Sequence, residues 1–390
     1  MTATPMTATA TDLKQTPLHG NHLALGAKMS PFGGWDMPLQ YSKVKEEHLA
    51  VREAAGLFDV SHMGVFTLSA QSSEDVAAFL DGMVPNDVAA LDVGKALYTQ
   101  LLNEQGGILD DLIIYRTGFS DLPELFTGFE QWFVICNAGN AEADFDWLSQ
   151  HCPEGVTLTN ESEKTALVAL QGPKFLELLS ACGLTTSQLP QRFALAPVKL
   201  AGISTIVCRT GYTGEDGVEI LMCADDAPMF WDALLTEGKE LGVLPCGLAA
   251  RDTLRLEAAY PLHGNDITVQ TTPLEAGLGW SVKLNNPVDF IGKTALAEQK
   301  REGVSRKFIC LQIEGKGIAR AHTPICLSDG TVIGEVTSGT LTPSLPQPIA
   351  MGYVNAERAG AVGDMFSVEI RGKHVPAKRV ARPFYKSSAL

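Results

Sequence analysis

The run ALYTQLLNEQGGILDDLIIYR, residues 96–116, constrains the fold more than any other stretch of this chain. Two segments of strand-like composition flank NEQGG, whose adjacent glycines suit a tight chain reversal. The same strand, turn, strand pattern returns at GISTIVCRTGYTGEDGVEILMC, residues 202–223. Frequent hairpins favour antiparallel sheets over a doubly wound parallel sheet, which needs long crossovers between its strands.

Helical segments alternate with these strands. SKVKEEHLAVREAAG (42–56) reads as a helix with Ser42 as N-cap and Gly56 as stop. EDVAAFLDGMV, NAEADFDWLSQH, KFLELLSAC, the segment near 226–241 and GLAARDTLRLEAAY read likewise. VFTLSA, QWFVICNAG and TALVALQGP are strand-like. The composition turns charged at QKREGVSRK (299–307), which suggests a linker. Beyond it, FICLQIEG, TVIGEVTSG, AMGYVN and FSVEIRG are short β-like runs, as expected of an all-β module. The reading is α+β for about three hundred residues, then a β-barrel-like end. The expected division is a disordered lead-in over 1–15, two interleaved α+β domains over 16–300, and a barrel-like domain over 301–390.

A length of 390 residues predicts more than one domain. The formal net charge of −15 argues against bulk nucleic-acid binding, which wants a basic face. Eight scattered cysteines form no CxxC pair, read as small buried hydrophobes, and imply a reducing compartment. The Thr/Ala-rich start has no apolar core for a secretory signal and no arginine for a transit peptide. No apolar run approaches the ~18 residues of a membrane helix. These features predict a soluble, cytoplasmic protein without membrane contact. Phosphate-loop, dinucleotide and nucleophile-elbow motifs are absent, and the dispersed histidines give no zinc pattern, so no metal site is expected. His19 and His22 fall in a stretch read as flexible, and His62 in FDVSHMG reads as a satisfied structural histidine.

Three constellations remain. Asp110 and Asp111 are adjacent on a strand, so they point to opposite faces. Asp111 shares a face with Ile113 and Tyr115, and Asp110 with Leu112 and Ile114. Both faces are apolar, so periodicity does not choose the inward acid, and composition favours a turn-end role. Glu219 sits between Val218 and Ile220 after a glycine-rich turn, either facing solvent or pairing with a buried donor. Arg251 and Arg255 are one helical turn apart on one face. That spacing fits either a surface helix with ion pairs or an arginine clamp for a carboxylate or polar heterocycle.

The blocks FDVSHMG, GKALYTQLLNEQGGILDDLIIY, ALQGP, GYTGEDGVEI, GLAARDTLRLEA, TTPLEAGLGWSVKL and TSGTLTPSL stand in the order found in aminomethyltransferases, the T-protein of the glycine cleavage system. The chain resembles that family from about Thr16 to Tyr385. The resemblance implies a three-domain cloverleaf with tetrahydrofolate as co-substrate in a central channel. It also implies a partner, the H-protein, whose lipoyl arm carries the aminomethyl group. Transfer of the one-carbon unit gives 5,10-methylenetetrahydrofolate and ammonia.

Carried over by motif, Asp111 would be the carboxylate at the reacting folate nitrogens, with Tyr98 beside the pterin and Asn137 close by. Glu219 and Arg251 would bind the folate, Met63 and Trp280 would line the channel, and Arg320 would lie in the arginine block of the C-terminal module. The tail RPFYKSSAL varies in form among relatives, so Tyr385 is assigned no role. Loss of ammonia leaves an iminium-like electrophile, which a nearby carboxylate would stabilise, and the same group could hold the folate nitrogen's proton. On this reading Asp110 is a hairpin-end acid on the opposite face, expected to tolerate replacement better than Asp111. Two other readings within the superfamily share the fold. A folate-dependent demethylase would use a free methylated donor. The iron–sulfur-assembly relatives carry a cysteine at the glycine-rich turn, where this chain has RTGYTGEDG. No segment suits a flavin domain.

Overall fold

Hairpin chemistry sets the first sheet. In the computed structural model, which describes residues 13–119, 122, 126 and 128–387, strands Lys95–Leu102 and Ile108–Arg116 are joined by a turn that Asn103 closes. Its side-chain oxygen accepts from the amides of Gln105 (3.0 Å) and Gly107 (2.8 Å). A Cβ on Gly107 would lie 2.0 Å from the Val269 carbonyl, so the turn passes this segment only as glycine.

The hairpin forms one edge of a five-stranded antiparallel sheet, in the order 95–102, 108–116, 132–136, 64–70, 156–160. A six-stranded sheet follows the order 195–200, 203–208, 217–223, 165–171, 56–59, 244–245, antiparallel except for its last pair. The chain enters this second sheet at Gly56–Asp59, crosses to the first at Gly64–Ala70, and returns at Thr165–Gln171. A closed six-stranded barrel runs from Arg306–Ile313 to Lys373–Val380.

Both sheets are covered on two faces. Helices Ser73–Met83 and Ala141–His151 pack with Leu112, Ile114, Trp132 and Val134 on the outer face of the five-stranded sheet. Its inner face meets the six-stranded sheet through Tyr115, Phe133, Ile135, Leu167, Ile206 and Leu221. The Tyr115 and Phe133 rings stack 4.4 Å apart. Fully burying side chains of this size stabilises by roughly 1.5–3 kcal/mol each. Two-sided burial explains why strand 108–116 reads as a nearly unbroken apolar run.

A charged joint ties helices Val44–Glu53 and Leu248–Glu257 to the barrel. Arg52 donates to Glu257 Oε2 (2.8 Å), to Glu215 Oε1 (2.8 Å) and to the Thr213 carbonyl (2.9 Å). Glu257 Oε1 accepts from the Ser344 amide and lies 3.2 Å from His48 Nε2. The Tyr385 ring covers the guanidinium at 4.0 Å.

Several expectations change. Ser42 does not cap helix 44–53. Its amide and that of Tyr41 donate to Glu47 Oε1, whose other oxygen accepts from Gly247, so a buried carboxylate organises this end. The charged stretch from 299 is largely the last turn of helix Lys293–Glu302, leaving Gly303–Ser305 before the barrel. The sequence reading missed hairpin 28–32/35–40, whose strands carry Pro31 and Pro38 instead of clean alternation. Residues 1–12 of the expected lead-in lie outside the described residues, while Lys14 bridges to Trp35. His22 is not in a flexible stretch. It is fully buried on helix His19–Ala24 and bonded to Asp59 (2.8 Å) and Tyr41 (2.8 Å).

Candidate functional site

Register brings the first three site residues together. Gln100 pairs with Asp111 and Tyr98 with Ile113, so Tyr98 is the diagonal neighbour of Asp111 on the inner face. The Tyr98 hydroxyl donates to Asp111 Oδ2 at 2.9 Å. Ile135 pairs with Ile113 on the other side, and Asn137 follows just past the strand end. Its Nδ2 lies 3.0 Å from Asp111 Oδ1, 3.1 Å from the Asp111 carbonyl and 2.8 Å from Asp110 Oδ1.

Asp111 is only partly exposed, and its pKa is pushed up to about 7. Desolvation is the main cause, and the neighbouring Asp110 charge adds to it. Hydrogen bonds from Tyr98 and Asn137 oppose both. A carboxyl that changes charge near neutrality, held by two oriented donors, can carry negative charge or accept a proton. Trp280 stacks on Tyr98, with ring centroids 5.9 Å apart, and is 60% exposed.

Tyr212 joins this group to the six-stranded sheet. Its electrostatic neighbours include Asp111 and Arg251, and the Arg251 guanidinium lies over its ring at 4.8 Å. Among the described residues Arg251 makes no side-chain hydrogen bond or ion pair, although it is half-buried. Glu219 is not solvent-facing. It is 7% exposed, and its Oε2 accepts from Thr210 Oγ1 at 2.5 Å. Burial raises its pKa, with the Thr210 bond and the Arg251 charge opposing. The two arginines of helix 248–257 separate: Arg255 is buried against Asp252, Asp266 and Ser338, which leaves Arg251 alone with free donors. The glycine-rich turn is pinned by Gln171 of ALQGP, which bonds the Thr210 and Val218 carbonyls. A Cβ at Gly211 would lie 2.0 Å from the Gln171 side-chain oxygen.

Met63 is half-buried and packs against the inter-sheet core. Arg320 is exposed on the barrel and makes no hydrogen bond, ion pair or ring contact with the other candidates. Two residues change character. His62 is not satisfied: it is 4% exposed, its Nδ1 has no partner, and desolvation lowers its pKa to about 4. Asp110 is more than a hairpin-end acid. It is completely buried on the outer face and accepts from the Asn137 amide (2.9 Å) and from Asn140 Nδ2 (2.6 Å).

Fold and site together define an α+β enzyme with a separate C-terminal barrel and a carboxyl of raised pKa on the inter-sheet face of a hairpin. Residues 18–286 match the family described as the GCVT N-terminal domain, and residues 306–386 match the glycine cleavage T-protein C-terminal barrel domain. The chain is 46% identical to an aminomethyltransferase of Nostoc sp. over 97% of its own length and 98% of that protein's. An aminomethyltransferase of Symbiobacterium thermophilum is also 46% identical, covering 96% of this chain and 98% of the relative. The crystal structure of glycine cleavage system aminomethyltransferase T from Bartonella henselae superposes with a TM-score of 0.86 at 37% identity, over 96% of this chain and 99% of that one. The chain belongs to the glycine cleavage T-protein family.

Proposed function

We infer that this protein is a tetrahydrofolate-dependent aminomethyltransferase of the glycine cleavage system. It moves the one-carbon unit from the aminomethyl-loaded H-protein to tetrahydrofolate and releases ammonia. Family membership supports the reaction. The observation that carries the site is Arg251, a half-buried guanidinium without an acceptor, near Glu219 and facing the Asp111 cluster across Tyr212. Such donors suit a polar heterocycle with an anionic tail.

In this reading Arg251 and Glu219 hold the pterin, while Tyr98, Trp280 and Met63 bound the site. Arg320 is assigned to the barrel side of the entrance. Tyr98 and Asn137 fix the Asp111 carboxylate, which faces the reacting nitrogens and opposes the positive charge that develops as ammonia leaves. The lipoyl arm of the H-protein is the delivering group. Two interleaved domains over 16–300 and a barrel domain over 301–390 are the proposed units. No helix among the described residues is long and apolar enough to cross a membrane, and the free cysteines suit a cytoplasmic setting.

The test is ammonia release from aminomethyl-loaded H-protein and tetrahydrofolate. Asp111→Asn should lower turnover by about 10²- to 10⁴-fold, with tetrahydrofolate affinity changed far less. Near wild-type turnover in that variant would remove Asp111 from the chemistry. A requirement for a free methylated donor would overturn the reaction itself.

A further inference from the structure

Behind the reactive face lies a second cluster with no access of its own. Helix Ala141–His151 brings Asp144, on its first turn, against Asp110 and Cys136. One ligand-type atom from each of the three lies within 4.8 Å of the others, and all three residues are buried. Asp144 Oδ2 has no hydrogen-bond partner of good geometry, with only the weakly donating Cys136 thiol beside it, although the residue is 2% exposed. An ionised carboxylate left this way beside a second buried carboxylate would be strongly destabilising. A proton between the two resolves both problems, because it supplies the missing donor and removes one like charge.

Asp110 is already committed on its other side. Its oxygens accept from the Asn137 amide, Asn137 Nδ2 and Asn140 Nδ2. Asn140 in turn bonds His263 Nδ1 (2.9 Å), which lies 3.8 Å from Asp110 Oδ1. Asn137 is the same side chain that reaches Asp111 Oδ1.

We propose that Asp110 and Asp144 share one proton, and that Asp110 is the positioning residue that orients Asn137 and sets the ionisation of Asp111. The proposal rests on the reading of Asp111 as the reacting carboxylate. The pair carries one negative charge, placed at Asp110 by its three amide donors, and that charge keeps Asp111 from ionising at low pH. The direction of the shifts agrees: burial and Asp110 raise Asp144 to about 9, and Asp110 contributes to the raised Asp111. The other titratable groups facing this cluster are Cys136, whose thiol burial pushes up, His263 beside Asp110, and Tyr98 and Tyr212 beside Asp111.

The experiment is a carbon-13 titration of aspartate carboxyls in the full-length protein, with the Asp111 resonance identified by its loss in Asp111→Asn. Asp110→Asn removes the like charge and should move the Asp111 titration down by about one pH unit or more. Asp144→Asn replaces a neutral acid with a neutral amide and should leave it within about 0.3 unit. The acid limb of kcat/KM for ammonia release should follow the same order. An infrared band of a protonated carboxyl should persist at about pH 8 in the wild type and vanish in Asp144→Asn, which decides the proton even if Asp110→Asn fails to fold.

An unmoved Asp111 titration in Asp110→Asn would overturn the proposal. So would equal downward shifts in both variants, since Asp144 would then carry its own charge. A stoichiometric metal ion in the purified protein would overturn it as well, by replacing the proton. Wild-type protein that releases no ammonia refutes the function instead, and the titration still decides this point.

Discussion

The Arg52 joint and the Arg251 site both bury arginine beside carboxylates, and they do opposite things to them. At the joint Arg52 bonds Glu257, Glu215 and a carbonyl, and Glu257 is held down at about 2 by His48 and Arg52 despite its burial. At the site Arg251 bonds nothing among the described residues, and Asp111 is pushed up to about 7 beside another acid. A buried charge with complete partners is structure. A buried charge that lacks them is a place where a ligand completes the set.

The contrast breaks first at Arg52. Arg52→Ala takes the guanidinium away from buried Glu257 and Glu215, leaving Glu257 only Ser344 and His48, and should cost about 3–5 kcal/mol in urea unfolding. Arg251→Ala removes no internal hydrogen bond or ion pair, only the contact over the Tyr212 ring. Its unfolding free energy should change by less than about 1 kcal/mol, while tetrahydrofolate binding weakens by roughly 1.5–3 kcal/mol, about 10- to 150-fold. Equal effects of the two variants on stability would dissolve the distinction.

The pH dependence sharpens it with a smaller effect. Glu257 lies below its ordinary value of 4.5, so its contribution is full above that pH and is lost as pH falls towards about 2. Asp111 lies above its ordinary 3.8, so its contribution is present below that and is lost as pH rises through about 7. Melting temperatures followed across pH should therefore fall on the acid side through the joint. Above neutrality, Asp111→Asn should melt higher than the wild type; a variant that melts lower there would contradict the raised carboxyl.

Legibility in the sequence followed exposure and chain proximity. The hairpins at 95–116 and 203–223 were readable because turn chemistry is local, and the barrel strands because their runs are short and regularly punctuated. The α+β class with a C-terminal barrel follows from those two facts. Which acid of the pair lies inside was not readable, because strand 108–116 is covered on both faces and alternation loses its contrast. Both acids are in fact engaged, one on each side. Asp144 carried no signal at all: an acid in the first turn of a helix is ordinary, and its contact with Asp110 is set by how the helix packs. The conspicuous blocks hold Tyr98, Glu219 and Arg251, and Asn137 follows from the resemblance outside them, whereas Tyr212 stands inside a block without distinguishing itself and His62 reads as merely structural.

Trp280 gives the site an optical handle. The indole stacks on Tyr98 at 25°, and thus lies one residue away from the Asp111 carboxyl, while Trp132 and Trp231 are wholly enclosed elsewhere and Trp35 and Trp147 are only partly exposed. Entry of an aromatic ligand alongside Tyr98 changes the polarity and stacking around this one exposed ring. Occupancy can therefore be followed as a change in intrinsic emission, without a label and without turnover, and a Trp280→Phe protein supplies the blank.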